Sequence, residues 1–368
     1  MQIDQFELER IQSLYENTVE INLSDSGVHP YSLRQLLTKP ELEGLLDLNL
    51  GYGWTNGTPA LRETIAALYP GARAENVVVT NGSAEAIFVM GMAVLSPGDE
   101  MIVVIPNYLA LPGWAKAIGA GVKTVSLRPE LGWLPDPAEI EAAITPRTRL
   151  LSVCNPNNPT GRVLPIALMR ELVEICRRHG LYLHADEVYR GSEFEGPETT
   201  SFADLYEKTL VTSGVSKTIA LPGLRIGWLL GPADVIADAW HRKDYTSITT
   251  TKLSEYVATI ALKPARRQQI LQRTRQHLTQ NLAAFETWIA QNGNHFSHIR
   301  PEATGMVFMR YHFEQNSTDF VHELRLARKV LLLPGDVYGL DGYLRVGIGM
   351  DTAELVDGLS RLSDHVGR

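Results

Sequence analysis

Lys217 and Arg225 lie eight positions apart in a stretch running from Ser213 to Trp228. A lysine forms Schiff bases with carbonyls once its ammonium is partly desolvated or neighboured by positive charge. An arginine presents a planar fork suited to a phosphate. The small residues Gly214 and Ser216 let a planar ring approach the backbone beside the lysine. Together they describe a site for an aldehyde that carries a phosphate, which is pyridoxal 5'-phosphate. A lysine in a Gly/Pro loop is as readily a solvated surface group, so the rest of the chain decides.

Four further stretches bear on that choice. Asn81-Gly82-Ser83-Ala84 is a glycine turn opening a helix, where free N–H groups suit a phosphate, although many strand-to-helix turns look alike. Pro106-Asn107-Tyr108 places an aromatic where it stacks on a ring or simply packs. In Asn155-Pro156-Asn157-Asn158-Pro159-Thr160-Gly161 the prolines and glycine fix the backbone, while Asn158 can donate to a phenolic oxygen. In Asp186-Glu187-Val188-Tyr189, the aspartate can pair with a protonated pyridine nitrogen, and Tyr189 can bond the ring's 3-oxygen.

Positioning these residues falls to alternating strands and helices. Apolar runs predict strands over 77–80, 101–105, 122–126, 149–154, 181–185 and 210–213, with helices over 84–95, 109–118 and 167–178 between them. Such strands indicate a mostly parallel sheet buried on both faces, and each suggestive stretch follows a strand's carboxyl end, where ligands sit in doubly wound sheets. Phe6, Leu8, Ile11 and Leu14 mark an amphipathic N-terminal helix, and a short strand starts at Ile21. A long helix is expected over 264–290, and strands and helices alternate again to residue 365.

At 368 residues the chain fits one large and one smaller domain. A net charge of −8 argues against a nucleic-acid surface. No signal peptide or membrane-length apolar run is visible, and two cysteines, Cys154 and Cys176, form no disulfide framework. A cytoplasmic protein without metal is expected.

These loops, in this order, resemble fold-type I pyridoxal-phosphate enzymes of aminotransferase class I/II. The resemblance implies an α/β large domain, with a mostly parallel sheet flanked by helices, over residues 45–275. A smaller α+β domain follows at 276–368, and residues 1–44 supply an N-terminal helix and a segment joining the small domain. It implies Lys217 as Schiff-base lysine and proton shuttle, Asp186 at the pyridine nitrogen, Asn158 and Tyr189 at the 3-oxygen, and Tyr108 stacked on the ring. Gly82, Ser83, Ala84, Ser216 and Arg225 would surround the phosphate. Tyr52 resembles the tyrosine that reaches the neighbouring subunit's phosphate, implying a homodimer with shared active sites. Arg345 resembles the arginine that clamps the substrate α-carboxylate, with Asn158 beside it.

Two positions depart from the family pattern. Gly214 stands where a serine is common, leaving Thr212 or Ser213 to compensate. The loop that usually reads Leu-x-x-Gly-x-Pro is here Leu23-Ser24-Asp25-Ser26-Gly27-Val28-His29-Pro30. No second arginine for a dicarboxylate side chain is evident. Residues 23–33 are similar to capreomycidine- and enduracididine-forming cyclases, in which a hydroxylated arginine loses water and its guanidine closes onto the carbon chain. Gly27, His29 and Asp25 would then lie at the substrate, and because cyclisation needs proton transfers beyond the α-carbon, His29 in this loop and Glu9 on the helix placed to cover the entrance are the candidate proton-transfer groups. Glu7, Glu9, Asp25 and Asp244 would face a cationic tail, although any one of them taken singly reads more readily as solvated surface, and His29 reads equally as a turn cap. An ordinary transaminase is the alternative. A pyridoxal-binding sensor is disfavoured, because the resemblance begins by about residue 21 and leaves no room for a winged helix before it.

Overall fold

The structure, a computed structural model, describes residues 3–367. Strand β1 (Ile21–Asn22) follows the N-terminal helix Glu7–Tyr15. The main sheet contains β2 (Val77–Asn81), β3 (Glu100–Ile105), β4 (Gly121–Ser126), β5 (Thr148–Cys154), β6 (Tyr182–Asp186), β7 (Thr209–Gly214) and β8 (Ile226–Leu230). Their order is β2-β8-β7-β6-β5-β3-β4. All pairings from β7 to β4 are parallel, and β8 runs antiparallel to both β2 and β7. The inner strands are almost wholly buried, with mostly apolar residues, because helices cover both faces. The strands of this sheet and the helices expected between them lie within two residues of where their patterns place them, whereas the N-terminal helix, expected from residue 4, starts at Glu7.

Strand β8 was not expected, because its residues read as the tail of the Lys217–Arg225 stretch. All five of its residues are buried, and it closes the gap between β2 and β7. Helices Ala233–Lys243 and Lys252–Leu262 are further additions.

The C-terminal part holds β9 (Phe296–His298), β10 (Met306–Tyr311), β11 (Val330–Leu331), β12 (Leu333–Pro334) and β13 (Tyr343–Gly347). Four of these form an antiparallel sheet, β12-β13-β10-β9. Strand β1 pairs with β11, Ile21 opposite Val330, which ties the N-terminal segment to this part. The helix Pro264–Gln291 serves both parts. Its Ile270 and Leu271 pack with Val77 and Trp228, and its Leu282, Phe285 and Ile289 pack with Val307 and Leu344. The expected boundary at 275/276 therefore falls within one continuous helix. Among the described residues no helix is long and apolar enough to cross a membrane, and no cluster of potential metal ligands occurs.

Candidate active site

Strands β2, β3, β5, β6 and β7 all end at one edge of the sheet, and the chain beyond each end contributes to a cavity of about 410 Å³. Lys217, Asp186, Asn158, Tyr108, Tyr189, Ser83, Ala84, Ser216, Arg225 and Arg345 line it, as the sequence led us to expect. The N-terminal helix closes the mouth with Leu8, Glu9, Gln12 and Glu16.

One end is built for an anion. Gly82 adopts φ +77°, which favours glycine, and a Cβ there would meet the Arg225 guanidinium at 2.4 Å. Arg225 itself takes a left-handed φ of 54°. A Cβ on Gly227 would fall 2.3 Å from the Gly82 carbonyl carbon, so the turn rests directly on β8. The helix Gly82–Val94 then points its unpaired first-turn N–H groups at the space Arg225 borders. Helix terminus and guanidinium fit one phosphate group.

The middle fits a pyridine ring. Asp186, at the end of β6, is buried, and burial raises its carboxyl to about 7 despite the Val188 amide and Lys217. Among the described residues no cation comes within ion-pair distance of it, so this acceptor fits a protonated ring nitrogen. Asn158 Oδ1 accepts from Arg345 Nη1 at 3.0 Å and from the Tyr338 hydroxyl at 3.3 Å, which leaves its NH₂ free to donate. Lys217 Nζ donates to Ser26 Oγ at 2.8 Å, and the Tyr189 hydroxyl donates to the same oxygen at 2.9 Å.

The remaining end is polarised. Arg345 is only 2% exposed. It donates to Asn158, to the Tyr338 hydroxyl at 2.8 Å and to the Ser24 carbonyl at 2.6 Å, while its buried Nε has no partner. A buried guanidinium with a vacant N–H and no paired carboxylate fits an incoming carboxylate. Glu9, Glu16 and Asp25 line the same cavity. Burial, then Asp25 and Glu9, push the Glu16 carboxyl above its ordinary value. Burial alone would raise Asp25 too, but Lys217, 3.7 Å away, and the Gly27 amide outweigh it and hold its pKa low.

Several expectations need correction. His29 does not line the cavity: Val28 turns into the core, and the exposed His29 ring lies 6.4 Å from that of His277. Gly27 does not line it either, because its amide donates to Asp25 Oδ1 and its carbonyl faces the glycine backbones at 305 and 349. Glu7 accepts from Gln5 outside the cavity, and Asp244 does not line it. Neither Thr212 nor Ser213 replaces the serine absent at Gly214, since Thr212 Oγ1 binds His184 and Ser213 Oγ binds the Glu187 carbonyl. A Cβ at Gly214 would meet the Ile226 carbonyl at 2.9 Å, which excludes serine there. Tyr52 is 87% exposed and lies outside this cavity.

Sequence reasoning missed Ser26, Gln12, Glu16 and Tyr338. Glu9, Gln12 and Glu16 are spaced three and four apart, which places them on one helix face, and that was the available signal.

Residues 32–362 match the family described as "Aminotransferase class I and II". The chain is 29% identical over 350 residues to a capreomycidine synthase of Streptomyces vinaceus, covering 94% of this chain and 90% of that protein. It is also 29% identical over 330 residues to an aspartate/prephenate aminotransferase of Thermus thermophilus, covering 85% of this chain and 82% of that one. The crystal structure of a PLP-dependent aminotransferase from Streptococcus suis superposes with a TM-score of 0.95 at 33% identity, over 100% of this chain and 99% of the other.

Proposed function

This chain belongs to the aminotransferase class I and II family, whose members depend on pyridoxal phosphate, and within it we propose an enzyme that dehydrates and cyclises a hydroxylated arginine. The observation that carries this reading is that the carboxylates Glu9, Glu16 and Asp25 line the same cavity as the buried Arg345. A substrate held there needs an anion at one end and a cation at the other, as a guanidino amino acid has. A dicarboxylate would bring its side chain against the three carboxylates, and among the described residues Arg345 and Arg225 are the only arginines lining the cavity. The similarity to a capreomycidine synthase supports the same choice.

In this reading Arg345 clamps the α-carboxylate and so fixes which bond at Cα points toward Lys217. Lys217 removes the α-proton, with Ser26 Oγ holding its amine in place. The bound cofactor supplies an electron sink for the charge left at Cα. Asp186 keeps the ring nitrogen protonated, and Asn158 and Tyr189 hold the 3-oxygen. Glu16 lies among the carboxylates facing the substrate tail, and its raised pKa suits it to give a proton to a departing hydroxyl. Two copies share their sites, Tyr52 of each reaching the other's phosphate, and the free, buried Cys154 and Cys176 fit a reducing cytoplasm.

A conventional transaminase is the second reading, favoured by the equal identity to an aspartate/prephenate aminotransferase. The carboxylates read the charge of a side chain, not its fate. Incubation with hydroxyarginines and with common amino acids, with and without a keto acid, separates the two. The cyclase consumes a hydroxyarginine without any keto acid and releases water. An absolute requirement for a keto acid would overturn it.

A further inference from the structure

Lys243, at the end of the helix Ala233–Lys243, is 0% exposed. Its Nζ donates to the Thr55 carbonyl at 3.0 Å and to the Ile248 carbonyl at 2.7 Å. Among the described residues no carboxylate comes within ion-pair distance of it. A fully buried ammonium without a paired carboxylate is costly, and these two carbonyls supply the hydrogen bonds that offset the cost. Burial lowers its pKa, and Glu85, Glu255 and Asp244 oppose the fall.

The two carbonyls belong to two loops. Thr55 lies three residues after Tyr52, and Ile248 is a β-branched residue held at a left-handed φ of 62°. Such a conformation persists only where the surroundings over-determine it. Thr249 Oγ1 joins the same two loops by donating to the Trp54 carbonyl at 3.1 Å, and Trp240 Nε1, on the helix that carries Lys243, donates to Thr55 Oγ1 at 2.9 Å. The Ile248 loop is in turn fastened to the phosphate end of the active site. Glu85, in the first turn of the helix Gly82–Val94, accepts from the Ser247 amide at 3.2 Å and from the Thr246 hydroxyl, while its other oxygen accepts from the Asn81 amide at 2.6 Å.

We propose that Lys243 is a positioning residue for the cofactor phosphate: it locks the loop carrying Tyr52 to the loop that Glu85 ties to the phosphate-binding turn. The tyrosine offered to one site is thereby registered against the phosphate turn of the other. This rests on the shared-site reading given above. Tyr52 is 87% exposed, so its placement depends on the loop behind it.

The test measures cofactor release from the diluted holoenzyme and reconstitution with pyridoxal phosphate or with pyridoxal, which lacks the phosphate. Lys243→Met should weaken pyridoxal phosphate on the order of tenfold, the scale of a lost charged hydrogen bond, and pyridoxal by less than about twofold. Tyr52→Phe should show the same phosphate-specific loss, and the double variant should lose no more than either alone. Equal weakening of both ligands, or additive losses, would overturn the proposal by reducing Lys243 to a general packing role. Parental affinity in Lys243→Met beside a weakened Tyr52→Phe would overturn the Lys243 assignment alone. Parental affinity in Tyr52→Phe would overturn the shared-site reading, and the proposal with it. Should Lys243→Met fail to fold, Trp240→Phe loosens Thr55 through the other bond, and a phosphate-specific loss there supports the proposal while its absence overturns it.

Discussion

The Tyr108 hydroxyl donates to Glu9 Oε1 at 2.9 Å, and Phe6 packs on the same ring at 4.9 Å between centroids. The residue expected to stack on the cofactor is thus the one that seats the N-terminal helix. Closure of the mouth and placement of the Tyr108 ring are one arrangement, fixed further by Gln12 Nε2 donating to the Ser24 carbonyl at 3.1 Å.

Charge, more than shape, should govern what this mouth admits. Glu9→Gln keeps an acceptor for Tyr108 but removes a negative charge. The Glu9→Gln, Glu16→Gln pair should raise KM for a guanidino amino acid by roughly tenfold or more, about 1.4 kcal/mol, and leave KM for a neutral amino acid within about twofold. Steady-state kinetics on the two substrates checks it, and a parallel rise for both would refute charge selection.

Ser26 joins Lys217 to Tyr189 through a single oxygen. Removing it in Ser26→Ala leaves the lysine amine without its nearest acceptor. We expect α-proton exchange in deuterated water to slow by roughly tenfold, the value of one hydrogen bond to a charged group, while cofactor remains bound. Exchange at the parental rate would show that the amine is held by other means.

Gly227→Ala tests the phosphate end. The added methyl would lie 2.3 Å from the Gly82 carbonyl carbon and 2.4 Å from the Ser83 nitrogen, both backbone atoms that cannot turn aside. The turn must shift, at a cost of about 1–3 kcal/mol. Weaker retention of pyridoxal phosphate together with a lower Tm is the expected result, read by cofactor release and thermal unfolding.

How much of this was legible in the sequence follows from what each residue answers to. Lys217, Asp186, Asn158, Tyr189 and Arg225 follow strand ends or fixed turns, and strand periodicity alone brings them to one edge. Gly214 and Gly227 make sense only once β8 is seen packed between β2 and β7, a neighbour relation no local pattern encodes. Ser26 was visible inside a loop already singled out, but beside it stood His29, a residue type with many catalytic uses. The turn at Val28 decided between them, and its direction is set by packing against Ala220 and Leu278. Tyr338 reaches Asn158 across 180 positions of chain, a contact only the fold supplies.

Asp186 makes a prediction about pH. Its carboxyl sits near 7 in the folded chain because of burial, against about 4 when unfolded. Between those values the cofactor-free native state binds the extra proton, so this group's contribution to stability is complete below about 4 and is lost as pH rises through about 7. The slope from this one carboxyl is at most about 1.4 kcal/mol per pH unit. Glu187, also raised to about 7 by burial, acts in the same direction, whereas Glu85, Glu198 and Asp25, whose pKa values are lowered, act against it. The Asp186 part is therefore read as a difference. Urea unfolding of cofactor-free parent and Asp186→Asn should show the parent losing stability relative to the variant as pH rises from about 4 to about 7. With pyridoxal phosphate bound, a protonated ring nitrogen pairs with the carboxylate and that relative loss should disappear. The same Asp186→Asn change should cut turnover on the order of a hundredfold or more, because a neutral amide no longer keeps that nitrogen charged. A pH-independent difference between the two cofactor-free proteins would mean that Asp186 is not the buried, unpaired carboxyl described here.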